Sequence, residues 1–183
     1  MSRHVNILDK DKSALVIIDV QVKFAPVIKD IQTITMQMEK LIQGCHLHDI
    51  PMWMTEQYPK GLGKTVPELL KYVSKNDLFE KMTFSAAEHL IPALKDHMIK
   101  QVILAGIETH VCVLQTALDL QHSGYQVYVV EDAVSSRNSK HRDIALARMA
   151  QHGITITCTE SVLFELTEIA GTDMFKSISK LVK

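Results

Sequence analysis

The amino-acid sequence predicts a three-layer, doubly wound α/β fold with a six-stranded, mainly parallel sheet. Short apolar runs rich in β-branched residues, such as Val102–Ala105, have the length and composition of strands buried on both faces. These runs alternate six times with segments whose apolar residues recur every three to four positions, the pattern of helices that cover such a sheet. No linker, repeat or low-complexity segment interrupts the alternation, so residues 1–183 are expected to form a single Rossmann-like domain.

The bounds of the elements follow from these apolar patterns and from the glycine and proline residues between them. Strands are predicted at Ser13–Val20, Pro51–Thr55, Asp77–Met82, Val102–Ala105, Gln126–Val130 and Ile154–Thr157. Helices are predicted at Asp30–Asp49, Val66–Tyr72, Ala87–His97, Thr109–Ser123, Ser139–Gln151, Glu160–Ala170 and Asp173–Leu181. The Gly- and Pro-rich segment 56–68 is expected to be a rim loop over a pocket, because its glycines lack the spacing of a phosphate-binding loop.

Composition excludes several classes of function. Twenty basic and 21 acidic residues give a net charge of −1, which argues against nucleic acid as the main partner. No apolar run approaches the ~18 residues of a membrane span, so no membrane partner is expected. The three cysteines, Cys45, Cys112 and Cys158, are far apart and form no CxxC pair, which indicates neither a disulfide framework nor a zinc site. A reducing compartment and a cytoplasmic location fit this usage.

Cys112 is placed in the first turn of the helix that follows the Val102–Ala105 strand, and the Thr109 hydroxyl is expected to cap that helix. Its helical neighbours are all polar: Gln115, Thr116 and Asp119. Two interpretations remain open, a small buried hydrophobe and a nucleophile. A helix N-terminus favours the second, because it lowers a thiol pKa from ~8.5 toward ~3.5–7.5 and offers N–H groups to an oxyanion.

Two further charged residues are predicted at the same edge of the sheet. Asp19 follows the apolar run of the first strand, and Lys81 lies near the end of the third. Parallel sheets bind ligands at the carboxyl ends of their strands, where a carboxylate, an ammonium and the Cys112 thiol would meet. Taken singly, Asp19 is compatible with a turn cap and Lys81 with a solvated charge. Their joint placement beside a cysteine favours a functional site.

Several segments resemble the isochorismatase-like cysteine hydrolase family, which includes nicotinamidases and N-carbamoylsarcosine amidohydrolases. The resemblance extends over nearly the whole chain. Its most specific segments are ALVIIDVQVKF at Ala14–Phe24, EKMTFSA at Glu80–Ala86 and the segment Leu104–Arg137. The segment TEQYPKGLG at Thr55–Gly63 resembles the branch of isochorismatase domain-containing proteins.

The resemblance implies a catalytic triad of Asp19, Lys81 and Cys112. It also implies a cis peptide bond between Ile107 and Glu108, which would direct the Glu108 N–H to the pocket. There it would join the Cys112 N–H as an oxyanion hole. A small-molecule substrate and a homo-oligomer are implied in the same way, with the apolar residues of the C-terminal helix as a candidate interface.

The chain departs from the nicotinamidases, which share an Asp-x-His pattern that helps to bind a metal. The corresponding segment here, Thr55–Pro59, contains no histidine. We therefore expect no catalytic metal and no other cofactor, and nicotinamide is disfavoured as a substrate. Isochorismatase itself hydrolyses a vinyl ether without needing a cysteine, so Cys112 indicates amide-type chemistry through a thioester. The alternative is a catalytically silent binding or scaffold protein.

Six residues are expected to line the substrate pocket: Phe24, Gln57, Tyr58, Ile107, Thr109 and His110. Two roles remain open. His110 is either a substrate contact or an exposed loop histidine. Arg137 either binds an anionic substrate or pairs with a carboxylate, and the second is favoured because arginine commonly binds carboxylates in a forked geometry.

Overall fold

A computed structural model describes residues 3–183, so the first two residues of the predicted domain lie outside the described part. Its centre is one six-stranded sheet in which every neighbouring pair is parallel. The strand order is β3-β2-β1-β4-β5-β6, which confirms the doubly wound prediction. The strands are β1 Ser13–Ile18, β2 Met52–Gln57, β3 Leu78–Lys81, β4 Gln101–Ile107, β5 Gln126–Ser135 and β6 Thr155–Thr157.

Helices cover both faces of the sheet and give the three predicted layers. They are α1 Ile31–Leu47, α2 Pro59–Leu62, α3 Pro67–Leu70, α4 Ala87–Asp96, α5 Leu114–His122, α6 Ser139–Gln151, α7 Thr159–Thr167 and α8 Asp173–Val182. Residues of α4, α5 and α6 share one core cluster with the sheet, and residues of α1, α3 and α7 share the other. No helix within residues 3–183 is both long and apolar enough to cross a membrane.

The central strand β1 shows why the sheet is buried on both sides. All six of its residues are buried. Val16 and Ile18 pack into the α4–α6 core, whereas Leu15 and Ile17 pack into the α1 core. This division follows from the alternation of side chains along a strand. Full burial of each such side chain stabilises the fold by roughly 1.5–3 kcal/mol.

Most element bounds differ from the sequence prediction by one to three residues, and two differences are larger. The fifth strand continues to Ser135, beyond the predicted end at Val130, and the charged residues that were expected to end it are part of the strand. The Asp132 carboxylate accepts hydrogen bonds of 2.9 Å from both the N–H and the hydroxyl of Thr159, at the start of α7. The predicted rim loop contains the short helices α2 and α3.

Candidate active site

Asp19 lies one residue beyond β1, at the point where the strand order reverses between β1 and β4. Its φ of 51° is in the left-handed region, which aspartate tolerates better than most residues. The side chain is fully buried. One carboxylate oxygen, Oδ1, accepts from the Thr55 hydroxyl at 2.7 Å, and Oδ2 accepts from Lys81 Nζ at 2.6 Å. The first turn of chain after β1 therefore fixes a buried carboxylate at the sheet edge.

Lys81 is the last residue of β3, and its side chain is as inaccessible to solvent as that of Asp19. Besides Asp19 Oδ2, its ammonium is within hydrogen-bond distance of Gln57 Oε1 at 2.8 Å. Two carbonyl oxygens, those of Phe84 at 3.0 Å and Thr83 at 3.2 Å, complete its surroundings. The ammonium of Lys81 is therefore enclosed by the protein, which excludes the interpretation of Lys81 as a solvated charge at a strand end.

Gln57 holds Lys81 rather than facing open space. While its Oε1 accepts from the ammonium, its Nε2 donates to the Met82 carbonyl at 2.9 Å. The Gln21 side chain in turn binds the backbone of Gln57. Its Oε1 accepts from the Gln57 N–H at 2.9 Å, and its Nε2 donates to the Gln57 carbonyl at 3.0 Å. The substrate contact expected of Gln57 stays a prediction. The residue types alone carried no signal that Gln57 would pair with Lys81.

Cys112 lies in a short π-helical turn, Thr109–Val113, between β4 and α5, and is 6% exposed. Burial, the main cause, together with the nearby Asp19 carboxylate raises the pKa of the Cys112 thiol to about 12, although Lys81 acts in the opposite direction. Asp19 and Lys81 are therefore near enough to Cys112 to shift the pKa of its thiol. The expected lowering of the thiol pKa is wrong for this structure, because burial and the carboxylate outweigh the helix end and the lysine.

Glu108 connects β4 to the π-helical turn, and the Ile107–Glu108 peptide bond is cis. No residue among 3–183 provides an acceptor for the Glu108 N–H. The Glu108 carboxylate, only 5% exposed, accepts from the backbone N–H and from Nε of Arg137, both at 3.0 Å. Of the two interpretations of Arg137, the structure therefore has the pairing with a carboxylate.

The expected hydroxyl cap by Thr109 is not formed. No side-chain cap bond exists at this helix start, and the chain opens with π-helical geometry, in which the Val113 N–H donates to the Glu108 carbonyl at 3.3 Å. The Thr109 hydroxyl is buried and finds no hydrogen-bond partner within the described residues. Its prediction as a pocket residue remains a prediction.

The other predicted pocket residues lie in different surroundings. Ile107 is fully buried in the α1 core, and Phe24 is half-buried against the same core. Tyr58 is 46% exposed, in the left-handed backbone region at φ 39°. The partly exposed His110 is within 3.0 Å of the Ser136 hydroxyl through Nδ1, and its ring lies 5.0 Å from that of His141. Burial lowers the pKa of His110, the His141 and Arg137 charges act in the same sense, and Glu108 opposes them.

Residues 13–161 match the family model of the isochorismatase domain. The chain belongs to the isochorismatase family. It is 42% identical over 191 residues to isochorismatase family protein 1B of Dictyostelium discoideum, covering 100% of this chain and 92% of that protein.

Solved structures of this fold superpose over almost the full length. The MAR1 ribonuclease from Caenorhabditis elegans gives a TM-score of 0.90 at 41% identity, covering 96% of this chain and 91% of that one. The Escherichia coli YcaC gene product, described as an octameric hydrolase of unknown specificity, gives a TM-score of 0.90 at 26% identity, covering 98% of this chain and 91% of that one. YcaC from Pseudomonas aeruginosa, solved with covalent acrylamide, gives a TM-score of 0.89 at 27% identity, covering 98% of this chain and 93% of that one. Family membership and these neighbours support a hydrolase.

Proposed function

We propose that this isochorismatase-family protein is a cysteine-dependent hydrolase of a small amide-type substrate, with Asp19, Lys81 and Cys112 as its catalytic residues. The observation that carries the proposal is the placement of a nearly buried thiol beside a carboxylate that is itself paired with a buried ammonium. These are the parts that nucleophilic acyl transfer requires, a nucleophile, a base beside it and a charge that orients the base.

The raised pKa of the Cys112 thiol sets the order of the first step. A thiol whose pKa is about 12 is protonated at neutral pH, so a free thiolate is not the resting state. Asp19 takes the thiol proton as sulfur attacks the substrate carbonyl, which is general base catalysis. Lys81 orients the Asp19 carboxylate and counters the negative charge that passes from Asp19 to the oxyanion.

The second half of the reaction uses the backbone and the same carboxyl group. The Glu108 N–H, without an acceptor in residues 3–183, and the Cys112 N–H in the first helical turn stabilise the oxyanion. Asp19 returns its proton to the leaving nitrogen, the carbon–nitrogen bond breaks, and a thioester remains. Water, deprotonated by Asp19, then hydrolyses the thioester and regenerates the thiol.

The reaction is proposed to need neither a metal nor another cofactor. Asp19 and Gln57 each direct a side-chain oxygen at the Lys81 ammonium, which uses those oxygens for an ion pair and a hydrogen bond. Within residues 3–183, no three His, Cys, Asp or Glu side chains are grouped to hold a metal ion.

The decisive experiment is a hydrolysis screen over small amides, carbamoyl compounds and hydroxamates, with Cys112→Ala beside the wild type. Loss of the nucleophile is expected to lower kcat at least about 10³-fold, as in other nucleophilic hydrolases. Cys158→Ala, a cysteine outside the site, serves as the matched control. Turnover retained in both Cys112→Ala and Cys112→Ser would remove Cys112 from the mechanism and favour a binding or scaffold protein.

The name of the C. elegans relative makes RNA the second substrate class to test. The balanced charge of this chain favours a small molecule instead, because RNA-binding surfaces carry an excess of basic residues. A short single-stranded RNA therefore belongs in the same screen. Cleavage of that RNA that disappears in Cys112→Ala would replace the amide by a phosphodiester as the substrate class.

We propose in addition that the protein is a homo-oligomer, supported by the octameric YcaC relative. The C-terminal helix offers less interface than its sequence suggested, because Ile178 is fully buried and the Phe175 ring lies 6.0 Å from that of Phe164 in the same chain. Exposed apolar side chains follow Lys81 instead, with Met82 70% and Phe84 53% exposed. Light scattering coupled to size-exclusion chromatography should give a mass above one subunit, and a monomer at micromolar concentration would contradict the proposal.

A further inference from the structure

The proposed oxyanion donor is the N–H of Glu108. The side chain of the same residue binds Arg137, which follows the neighbouring strand β5. Glu108 O accepts from the N–H groups of Val111 at 3.1 Å and Val113 at 3.3 Å, which fixes the Glu108–Thr109 peptide group, the one after the donor N–H. The Glu108 side chain makes no capping bond to that helix start. Its carboxylate is bound elsewhere, and this contact is a further constraint on the orientation of the residue, beside the pairing of Ile107 in the sheet.

That carboxylate is bound by one residue through two donors. Arg137 offers its backbone N–H and its Nε to the same oxygen, Oε1, both at 3.0 Å. Arg137 lies two residues beyond Ser135, and Ser135 pairs in register with Ile107, the residue before Glu108. The contact therefore ties together the carboxyl ends of neighbouring strands β4 and β5.

The energetics of the contact favour rigidity. The Glu108 side chain is 5% exposed and the Arg137 side chain is 60% exposed. Without the pair, the Glu108 carboxylate would be left buried and without a partner, whereas Arg137 would be solvated by water. Charge-assisted hydrogen bonds are roughly twice as strong as neutral ones, and one of the two donors here is a backbone N–H, two residues beyond the end of β5. Rotation of Glu108 would break both bonds at once.

We propose that Glu108 and Arg137 are positioning residues that hold the oxyanion donor, the Glu108 N–H, beside the Cys112 thiol. The inference rests on the proposed function and adds to it a side-chain pair that touches neither the thiol nor the other two catalytic residues. If the pair were only structural, its loss would lower stability and leave the chemistry of the remaining folded protein unchanged.

Two reactions of the same sulfur separate these roles. Acylation by p-nitrophenyl acetate forms a tetrahedral oxyanion, whereas alkylation by iodoacetamide displaces iodide and forms none. Both rates are measured on Cys112 in the wild-type protein and in Glu108→Ala, Glu108→Gln and Arg137→Ala, with Cys112→Ala as the background. Arg148→Ala, which removes an exposed arginine from α6, is the matched control.

Glu108→Ala should lower the acylation rate about 10- to 100-fold, less than the loss of a donor itself, because the N–H remains but is misplaced. Arg137→Ala removes the Nε bond but keeps the backbone N–H bond to Glu108, so it should lower the acylation rate less, by several-fold. Alkylation should change less than about 2-fold, since no oxyanion forms in it. Glu108→Gln keeps an oxygen acceptor for Arg137 and should fall between Glu108→Ala and the wild type. If Glu108→Ala does not fold, Arg137→Ala changes an exposed side chain and carries the test.

Two outcomes would overturn the inference in distinguishable ways. Acylation that depends on Cys112 in the wild type but persists in both alanine variants would remove the positioning role and leave the proposed function intact. Equal loss of acylation and alkylation would do the same, because it would report a displaced thiol. If the wild type shows no acylation that depends on Cys112, the proposed function fails and the inference fails with it.

Discussion

Asp19 and Lys81 form an ion pair in which neither side chain is exposed, so each charge depends on the other. Lys81→Met and Asp19→Asn should each lower the free energy of unfolding by about 3–5 kcal/mol, the cost of leaving a buried charge without its partner. Asn is the conservative choice at position 19 because it also tolerates the φ of 51°.

The double variant Asp19→Asn/Lys81→Met should lose less than the sum of the two single losses, because it buries no unpaired charge. Urea denaturation of the four proteins of the cycle measures this coupling. Strictly additive losses would show that the two charges do not depend on each other.

The Gln57 side chain supplies the second side-chain oxygen around the Lys81 ammonium. Gln57 is only 8% exposed, so water does not replace the hydrogen bonds of its amide. Gln57→Leu keeps the approximate size of the residue but removes both hydrogen bonds of its amide. We expect a loss of about 1.5–3 kcal/mol in unfolding free energy, the usual range for hydrogen bonds to a charged group. Gln115→Leu, an exposed position on α5, is the control for the apolar replacement.

A less well-held Lys81 should also slow the Cys112 chemistry of Gln57→Leu, with acylation by p-nitrophenyl acetate as the readout. A variant as stable and as reactive as Gln115→Leu would leave Gln57 free for the substrate contact that the sequence predicted.

The position of Asp19 could be predicted from the sequence because it follows an apolar run that is buried on both faces. Burial of such a run depends on composition and length, which the sequence states directly. Lys81 ends a half-buried strand and was placed only by the alternation of strands and helices. The surroundings of Cys112 could not be predicted in the same way. Whether its helix opens with α- or π-geometry, and whether Thr109 caps it, depends on the backbone hydrogen bonds to the Glu108 carbonyl, which residue types do not specify.

The same limit explains the thiol pKa and the role of Gln57. Both depend on which side chain faces which across two strands, and residue types alone do not specify this. The pairing of Arg137 with a carboxylate was predicted from the sequence, because arginine side chains commonly bind carboxylates.

Gly106 lies in β4 beside β1, where the two central strands approach closely at the reversal of strand order. Its φ is 118°, and a Cβ there would overlap the backbone of Ile18. Gly106→Ala should therefore destabilise the protein by well over the ~1 kcal/mol of an ordinary left-handed glycine replacement, since backbone atoms on both sides would have to move.

Gly124→Ala is the matched comparison for Gly106→Ala. Gly124 has a φ of 90°, and nothing lies within 4 Å of its added Cβ. Only the conformational cost of the left-handed region applies to it, of order 1 kcal/mol. Thermal unfolding of the two variants measures the difference, and equal losses would show that β1 and β4 can separate at this point without cost.

The topology of the whole sheet explains why three residues distant in sequence share one site. Asp19 and Cys112 follow β1 and β4, the two strands between which the order reverses, so the connections leave in opposite directions and open a crevice there. Lys81 ends β3, two strands away, and bridges the distance with its long side chain. The same placement buries the Cys112 thiol, and this burial makes the stability of the whole chain depend on pH.

Two thiols, Cys45 in the α1 core and Cys112 in the site, have a pKa raised to about 12, in each case mainly because burial disfavours the thiolate. Unfolding returns both thiols to an ordinary pKa of 9.0, so above pH 9 the unfolded chain loses protons that the folded chain keeps. The stabilisation is complete below pH 9 and is lost as the pH rises toward 12. Each thiol should lower the unfolding free energy by up to about 1.4 kcal/mol per pH unit.

The clearest window for this effect lies between pH 9 and pH 10, below the ordinary tyrosine pKa of 10.0, because burial also raises the pKa of Tyr125 and Tyr128. Urea denaturation at intervals across that window gives the slope for the wild type. Cys45→Ala and Cys112→Ala should each reduce the slope, whatever their stability at pH 7, since each removes one titrating group. If neither variant flattens the curve, burial does not hold these protons in the folded protein.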